Sequence, residues 1–396
     1  MKRWSIPFAI AAALASGATA HAAAAATHYF VIELPSLGGT NSIGNSINQF
    51  GMVSGFSALA DNTTLHATAW PFGKAKDLGT LGGTNSAVLW PVKNNFGVIS
   101  GVSQTGTPDP NGESWSCSFF IGSNGDTCLG FVWAAGKMRA LDPLPGGNNS
   151  FATGTNNRMQ TVGWAETGYH DPTCNKYGDS DQVLQFLPVV WERGKSQPRS
   201  LPLLQEDSSG AATAINDRGE VVGISGDCDQ AAGRDTAKHM VLWKNGKAID
   251  IGNIGGFAWN TPMAINQFGD IVGFASTASG NIHAFYRGRN DDVPTDMQGL
   301  YPGDTFSQAY GINNRGQVVG TSCCSLGGYR AFVWQNGTMA DLQNLAPGYS
   351  GTFLFAQDIN DLGEITGQAT SASGQEVAFI AIPTPSGDSH AQVPAR

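Results

Sequence analysis

The segment 166–171 brings three ionisable side chains close together in the sequence: Glu166, His170 and Asp171. An acid and a base placed on either side of a glycosidic bond can cleave it by general acid and base catalysis. These three residues are therefore the candidate catalytic groups of a carbohydrate-active hydrolase or lyase. The order of residues fixes no distance between them, so this function depends on how the chain folds.

Aromatic residues accumulate in segments of the same kind, which are rich in turns and small polar residues. A ring offers a large contact area at a low cost in side-chain entropy, and it can stack on a sugar ring or contact a partner protein. Local packing within long loops would use the same residue types. The candidate ligand-binding residues are Trp115, Trp164, Tyr169, Tyr177, Trp259 and Tyr329.

Four aspartates in these segments are candidate calcium ligands: Asp179, Asp181, Asp227 and Asp229. Carboxylate oxygens suit calcium, but the segment 175–181 lacks the sixth-position Gly and terminal Glu of the twelve-residue calcium loop. Solvated loop charge is the alternative interpretation. No other metal or cofactor is expected, because the sequence contains no zinc-protease, phosphate-loop or nucleophile-elbow motif.

Six cysteines lie in the same segments, and no C-x-x-C spacing occurs among them. Zinc-binding and thioredoxin-like functions therefore lack their first requirement. The N-terminal residues have the pattern of a secretory signal peptide: a basic start at Lys2 and Arg3, an apolar stretch at 6–14 and small residues up to Ala22. Cleavage is expected after Ala22 or Ala20. The sequence thus predicts a secreted or periplasmic protein, in which cysteines form disulfides.

A repeated motif must position these residues: Asn-x-x-Gly, followed by apolar residues and a second Gly. One copy is Asn216 with Gly219 and Gly223, and in another copy Met159 replaces the first Gly. The seven copies begin at Asn48, Asn94, Asn156, Asn216, Asn266, Asn313 and Asn360. Their spacing defines a unit of about 47 residues, and the second and third units carry insertions.

Each unit is predicted to form four short antiparallel strands. The Asn-x-x-Gly step suits a tight turn in which Gly takes the left-handed conformation. The third strand usually ends in Trp, as at Trp70 and Trp243, and turns such as Asn245 and Gly246 lead into the fourth. Seven four-stranded units of this length are typical of an all-β, seven-bladed β-propeller.

The two ends of the repeat region are expected to share one blade. The seventh unit stops after its third strand at 377–382, whereas the segment 29–34 matches the fourth strand of the other units. Joining the two would close the ring and leave no exposed sheet edge. The predicted divisions are a signal peptide at 1–22, a single propeller domain at 27–383 and a flexible tail at 384–396.

The predicted blade places the tight turns on one face and the long loops on the other. The candidate residues above all fall on the long-loop face, where loops on a rigid scaffold commonly carry recognition. The same geometry favours two disulfides, Cys117 with Cys128 inside one loop and Cys174 with Cys228 between neighbouring blades. Cys323 and Cys324 would form a vicinal pair or remain two thiols.

The repeated motifs resemble those of the HAF-repeat family, a family of extracellular repeat proteins. The matching segments are 77–83 and 250–256, the step Ile312 and Asn313, and the step His283, Ala284 and Phe285. The resemblance implies an exported repeat protein with a propeller fold and implies no particular activity. Leu129 and Leu187 replace the His in two units, and the histidines at the equivalent positions (His66, His239, His283) are interpreted as structural.

Composition narrows the function further. The net charge is −9 and the sequence shows no basic stripe, which disfavours nucleic acid, and no mature segment is apolar enough to span a membrane. We therefore expect a monomeric, exported propeller scaffold that binds a glycan or a protein through its long-loop face. The alternatives are a secreted hydrolase or lyase using the carboxylates and His of that face, and a self-associating surface-layer component.

Overall fold

The computed structural model describes residues 27–120, 125–174, 181–228 and 237–384. Almost all regular structure in these ranges is β-strand. Helical structure in them is limited to a short α-helix, α1 (Leu342–Leu345), and two 3-10 turns, Pro71–Gly73 and Trp115–Cys117. None of the described helices has the length and hydropathy required to cross a membrane. The predicted signal peptide and the tail from 385 onward lie outside the described residues.

The strands follow one another in antiparallel hairpins, as the turn motifs predict. The first half of the described chain contains β1 (His28–Glu33), β2 (Gly38–Ile47), β3 (Val53–Leu59), β4 (Leu65–Trp70), β5 (Lys76–Asp77), β6 (Ser86–Ala87), β7 (Ile99–Pro108), β8 (Asp126–Ala134), β9 (Lys137–Leu141), β10 (Gly146–Thr155), β11 (Thr161–His170), β12 (Leu184–Trp191) and β13 (Arg199–Ser200). The second half contains β14 (Ser209–Ile215), β15 (Val221–Gly226), β16 (His239–Lys244), β17 (Lys247–Asp250), β18 (Thr261–Ile265), β19 (Ile271–Ser276), β20 (Ile282–Arg287), β21 (Thr295–Gln298), β22 (Phe306–Ile312), β23 (Val318–Cys323), β24 (Tyr329–Gln335), β25 (Thr338–Asp341), β26 (Thr352–Ile359), β27 (Ile365–Thr370) and β28 (Glu376–Thr384).

These strands pair into five sheets, which are built from groups of four antiparallel strands. Three sheets have four strands each: β6–β9, β10–β13 and β14–β17. The other two have eight strands, and in each of them a single parallel pair joins two four-stranded portions. Asn41 with Glu376 joins β2 to β28, and Ile282 with Phe306 joins β20 to β22. Every unit of the sequence repeat thus corresponds to one four-stranded portion.

The N-terminal strand pairs with the last strand of the described chain. β1 runs antiparallel to β28 from His28 opposite Thr384 to Glu33 opposite Phe379. The other side of β28 pairs with β27, from Ile365 opposite Ala381 onward. The pairing between the two ends that the repeat predicts is therefore present, and it covers an edge that β28 would otherwise expose.

The Asn side chain shapes each tight turn, as the copy at Asn48 illustrates. Its Oδ1 accepts hydrogen bonds from the backbone N–H groups of Phe50 (2.9 Å) and Met52 (3.0 Å). Gly51 adopts a φ of +76°, a conformation that favours a residue without a Cβ. Met159 takes the equivalent position in the third unit with a φ of +62°, so the fold tolerates a strained residue there.

The turns are linked to one another by a cyclic series of hydrogen bonds. In each turn, the backbone N–H of the residue after the repeated Asn donates to the side chain of its counterpart in the next unit. The donor and acceptor pairs are Gln49 to Asn95 (3.1 Å), Asn95 to Asn157 (2.8 Å), Asn157 to Asp217 (2.8 Å), Asp217 to Gln267 (3.0 Å), Gln267 to Asn314 (2.9 Å), Asn314 to Asp361 (2.8 Å) and Asp361 to Gln49 (2.9 Å). The last acceptor is the first donor, so the series returns to its origin.

The Trp residues that end third strands connect neighbouring units. The Nε1–H of Trp70 donates to the carbonyl oxygen of Pro35 (2.7 Å), and Trp191 donates in the same way to Asp142 (3.0 Å). In both cases the acceptor lies in the segment that follows the fourth strand of the preceding portion. Both indoles are almost fully buried. Each therefore adds apolar burial and satisfies its own polar group.

Candidate functional site

A large cavity lies at the ends of the strands opposite the Asn turns. Its volume is about 620 Å³, within the range usual for small-molecule sites. Many of its lining residues stand five positions before a repeated Asn. These are Ile43, Leu89, Phe151, Thr261, Gln308 and Phe355. The same position of the repeat therefore contributes one lining residue to the cavity from each of six units.

One wall of the cavity is aromatic and comes from the second and third units. Phe151 stacks on Trp164 with ring centroids 4.0 Å apart, and the edge of Trp90 meets Phe151 at 5.5 Å. Trp115 contacts Trp164 at 5.1 Å and stacks on Phe186 at 4.7 Å. Because the rings support one another, the wall presents a preformed surface for a flat apolar face of a ligand.

The remaining lining combines uncharged polar groups with further apolar side chains from other units, such as Phe274 and Phe355. Asn41, Asn45, Gln308, Gln357 and Gln368 contribute amides, and Glu376 is the one carboxylate among the described lining residues. The Gln368 Nε2 donates to Asn41 Oδ1 (3.1 Å) and to Glu376 Oε2 (3.3 Å). These contacts orient the amides while leaving further donor and acceptor capacity for a ligand.

Three aromatic side chains of the lining carry hydrogen-bond donors, of which one is paired and two are not. The Tyr310 hydroxyl donates to Gln308 Oε1 (2.5 Å), and burial raises the pKa of Tyr310, which keeps it protonated. The Nε1–H groups of Trp90 and Trp164 are buried without a partner among the described residues. A buried, unpaired donor costs about 1–3 kcal/mol, which an acceptor brought by a ligand would offset.

The inserted loop of the second unit is anchored so that Trp115 reaches the cavity. The disulfide between Cys117 and Cys128 ties the 3-10 turn to β8. Upstream of this turn, Glu113 Oε1 accepts hydrogen bonds from the backbone N–H groups of Val183 (2.8 Å) and Leu184 (2.5 Å). The loop is thus held both to its own unit and to the third unit.

Three buried carboxylates form the base of this anchor: Asp109, Glu113 and Glu166, with oxygens within 4.8 Å of one another. Glu166 Oε2 accepts from the backbone N–H groups of Asn148 (3.1 Å) and Asn149 (2.8 Å), and its Oε1 accepts from the Gln182 amide (3.0 Å). Burial and the nearby Glu113 carboxylate raise the pKa of Glu166 to about 7. Amide donors thus hold the cluster together.

The candidate catalytic residues are not brought together. Glu166 lies in the buried carboxylate cluster and does not line the cavity, while His170 is exposed at the end of β11. Asp171 is buried, and its Oδ1 accepts from the Thr173 backbone N–H (2.8 Å) and hydroxyl (2.8 Å). No described hydrogen bond joins any two of the three. Glu166 and His170 both lie on β11, and the extended strand holds the buried Glu and the exposed His four residues apart.

The candidate calcium ligands within the described ranges also fail to converge. The buried Asp227 pairs with the Lys238 Nζ at 2.5 Å, and the exposed Asp181 accepts only a long contact from the Ser114 hydroxyl (3.3 Å). Asp179 and Asp229 lie outside the described residues. A lysine therefore already neutralises the buried Asp227, which removes its need for a cation.

The aromatic candidates divide by their distance from the cavity. Trp115 and Trp164 line it, and Trp164 is buried rather than exposed. Trp259 and Tyr329 do not line the cavity but contact rings that do. The Trp259 ring centroid lies 6.1 Å from that of Phe274, and the Tyr329 centroid lies 4.9 Å from that of Phe355. Tyr169 is 58% exposed and does not line the cavity, and Tyr177 lies outside the described residues.

All six cysteines are paired. Cys117 pairs with Cys128, and Cys174 pairs with Cys228, which are the pairs the propeller geometry favours. Cys323 and Cys324 form a vicinal disulfide, the first of the two states left open by the sequence.

The repeated histidines have structural partners: His66 Nδ1 contacts Asp77 at 2.8 Å, and this hydrogen bond raises the pKa of His66. His283 pairs with Asp296 in the same way.

Comparison with known proteins identifies the fold. No model of a known protein family matches the chain, and no curated protein sequence is significantly similar to it. The β-propeller domain of the trilobed protease from Pyrococcus furiosus, described as having an open velcro topology, is similar with a TM-score of 0.52 and 11% identity, over 88% of this chain and 99% of that chain. A puromycin-hydrolyzing peptidase from Mycobacterium tuberculosis gives a TM-score of 0.51 and 11% identity, over 91% of this chain and 55% of the peptidase. The chain thus has a β-propeller fold and spans about half of that peptidase.

Proposed function

We propose that this protein is an exported, closed, seven-bladed β-propeller that binds a glycan in the 620 Å³ cavity. The four-stranded portions, the pairing of β1 with β28 and the cyclic hydrogen bonds of the turns support seven blades and closure. Three disulfides support an oxidising compartment. The repeated motifs support membership of the HAF-repeat family.

The observation that carries the glycan proposal is that aromatic rings and side-chain amides line the same cavity. A sugar ring has an apolar C–H face, which suits the rings of Trp115 and Trp164, and a rim of hydroxyls that both donate and accept. The amides of Gln308, Gln357 and Gln368 also donate and accept. Glu376 is the one charged group of the described lining, so the cavity disfavours an anionic ligand and suits an uncharged saccharide.

A panel of neutral oligosaccharides tests this function by titration calorimetry on the full chain. Trp115→Ala and Gln308→Leu should each weaken binding about tenfold or more, because a central aromatic or a desolvated hydrogen bond is lost. Tyr169→Ala is the matched control, since it removes an exposed ring outside the cavity. Absence of binding to the whole panel, or equal losses in Trp115→Ala and Tyr169→Ala, would refute the proposal and would favour a protein partner.

Hydrolysis of the bound glycan is the less supported alternative. The usual mechanism needs two carboxyl groups flanking the bond, and the described lining provides only Glu376. Glu166, His170 and Asp171 lie elsewhere. We therefore expect binding without product release. Product formation that is abolished by Glu376→Gln or by His170→Ala would overturn the scaffold function.

A further inference from the structure

A second concave site lies between the second and third units, and it shares no lining residue with the glycan cavity. It is a groove of about 530 Å³ between β9 and the turn that follows β12. Val98, Leu141 and Trp191 contribute apolar groups to its lining. The groove is therefore a separate candidate for recognition.

Four cations line this groove, and none of them is neutralised within the described chain. Lys137 and Arg139 lie on β9, while Arg193 and Lys195 lie in the facing turn, and all four side chains are exposed. No ion pair involves any of these four among the described residues. The only carboxylate of the lining, Glu192, is itself engaged.

Glu192 is held by groups outside the groove lining. Its Oε1 lies 3.6 Å from the Arg199 guanidinium, and its Oε2 accepts from the Gln160 amide at 3.2 Å. The groove thus keeps an excess of positive charge on a chain whose net charge is −9. Cations clustered against the overall charge create a local attractive potential for anions.

The two walls are fixed relative to one another. The Asp142 backbone N–H, next to the end of β9, donates to the Ser196 carbonyl oxygen (2.9 Å), and the Ser196 hydroxyl donates to Asp142 Oδ2 (2.6 Å). The Trp191 indole also donates to the Asp142 carbonyl oxygen (3.0 Å). Residues 137 and 139 project from the same side of β9 because side chains alternate along a strand. The backbone positions that carry the four cations are therefore fixed in advance of binding.

We propose that this groove binds a short segment of an anionic polysaccharide that carries carboxylate or sulfate groups. The apolar groups between the charged walls suit the C–H faces of sugar rings, and the paired cations suit anionic substituents on either side. The chain's overall negative charge opposes close approach of an extended polyanion such as nucleic acid, so binding depends on this local cluster.

The test compares defined probes on the full chain at several salt concentrations. Oligogalacturonate supplies carboxylates, a heparin-derived oligosaccharide supplies sulfates, and a short single-stranded DNA of similar charge represents a generic polyanion. We expect one or both acidic oligosaccharides to bind more tightly than DNA, with affinity falling as salt rises. Arg193→Gln with Lys195→Gln should weaken that binding about tenfold, and Lys137→Gln with Arg139→Gln should act similarly.

The matched control removes two exposed cations from other units, Lys74→Gln with Lys247→Gln. Equal weakening in this control, tighter binding of DNA, or no binding of either acidic oligosaccharide would overturn the proposal. Binding of neutral oligosaccharides in the cavity should be unchanged in the groove variants. The failure of one site is therefore distinguishable from the failure of the other.

Discussion

Replacing Glu166 by Gln should remove a pH dependence from the stability of the fold. Glu166 is 1% exposed, lies beside the Glu113 carboxylate, and has its pKa raised from 4.5 to about 7. In the native state it therefore holds its proton more tightly than in the unfolded chain. The contribution of Glu166 to stability is highest below pH 4.5, where both states are protonated, and it falls as the pH rises toward and through 7.

The size of the effect follows from the pKa. A change from 4.5 to about 7 corresponds to about 3 kcal/mol of unfolding free energy, lost by the wild type across that interval. Glu166→Gln also carries a constant cost, because its amide meets the Gln182 and Asn149 donors where the carboxylate accepts. That cost is the same at every pH, so the difference in pH dependence isolates the carboxyl.

Urea unfolding of both proteins between pH 5 and pH 8 measures this difference. The carboxyls with lowered pKa, such as Glu220 at about 2, titrate below this window and stabilise the fold throughout it. His66, whose pKa is raised, loses its contribution as the pH rises, but it does so in both proteins. If the wild type and Glu166→Gln change in parallel across the window, Glu166 is not protonated near neutrality and the reasoning fails.

Three further substitutions test the ion pair, the turn and the disulfide that support the fold. Lys93→Met should cost about 3–5 kcal/mol in urea unfolding, because the buried Asp358 loses its ion-pair partner; a cost below 1 kcal/mol would contradict that pairing. Met159→Gly should stabilise the fold by about 1 kcal/mol by relieving a φ of +62°, and a loss would show that the Met side chain contributes more than its backbone costs. Replacing both cysteines of the first disulfide, Cys117→Ser with Cys128→Ser, should lower the free energy of unfolding by about 3 kcal/mol and also weaken glycan binding. Unchanged binding would mean that the position of Trp115 does not depend on this disulfide.

The repeated frame was predictable because its determinants are local. The Asn48 side chain bonds to Phe50 and Met52, which are two and four residues away, so the turn can be read directly from the sequence. The alternation of strand residues then follows, as does the pairing of β1 with β28, since the seventh unit lacks a fourth strand. The turns and the strand alternation depend on residue types within one unit, and the pairing of β1 with β28 follows from the number of strands in each unit.

The candidate site was less predictable because its contacts join different units. Glu166 is buried by Asp109 and Glu113, more than fifty positions earlier, so its closeness to His170 in sequence was misleading. Trp90 and Phe151 were missed as lining residues. The signal that could have found Phe151 was its place five residues before a repeated Asn, a position that also holds Gln308.

The insertions explain why a regular repeat forms a cavity with an irregular lining. All units share the turn hydrogen bonds, which hold neighbouring units together and do not depend on the side chains elsewhere in each unit. Only the second unit, lengthened by its insertion, sends Trp115 into the cavity, and the inserted loop is held by the Glu113 contacts to the third unit. The aromatic wall therefore comes from the inserted units, whereas the unextended units contribute amides together with rings such as Phe274 and Phe355. A neutral sugar would accordingly bind with its apolar face toward the inserted units and its hydroxyls toward Gln308 and Gln357.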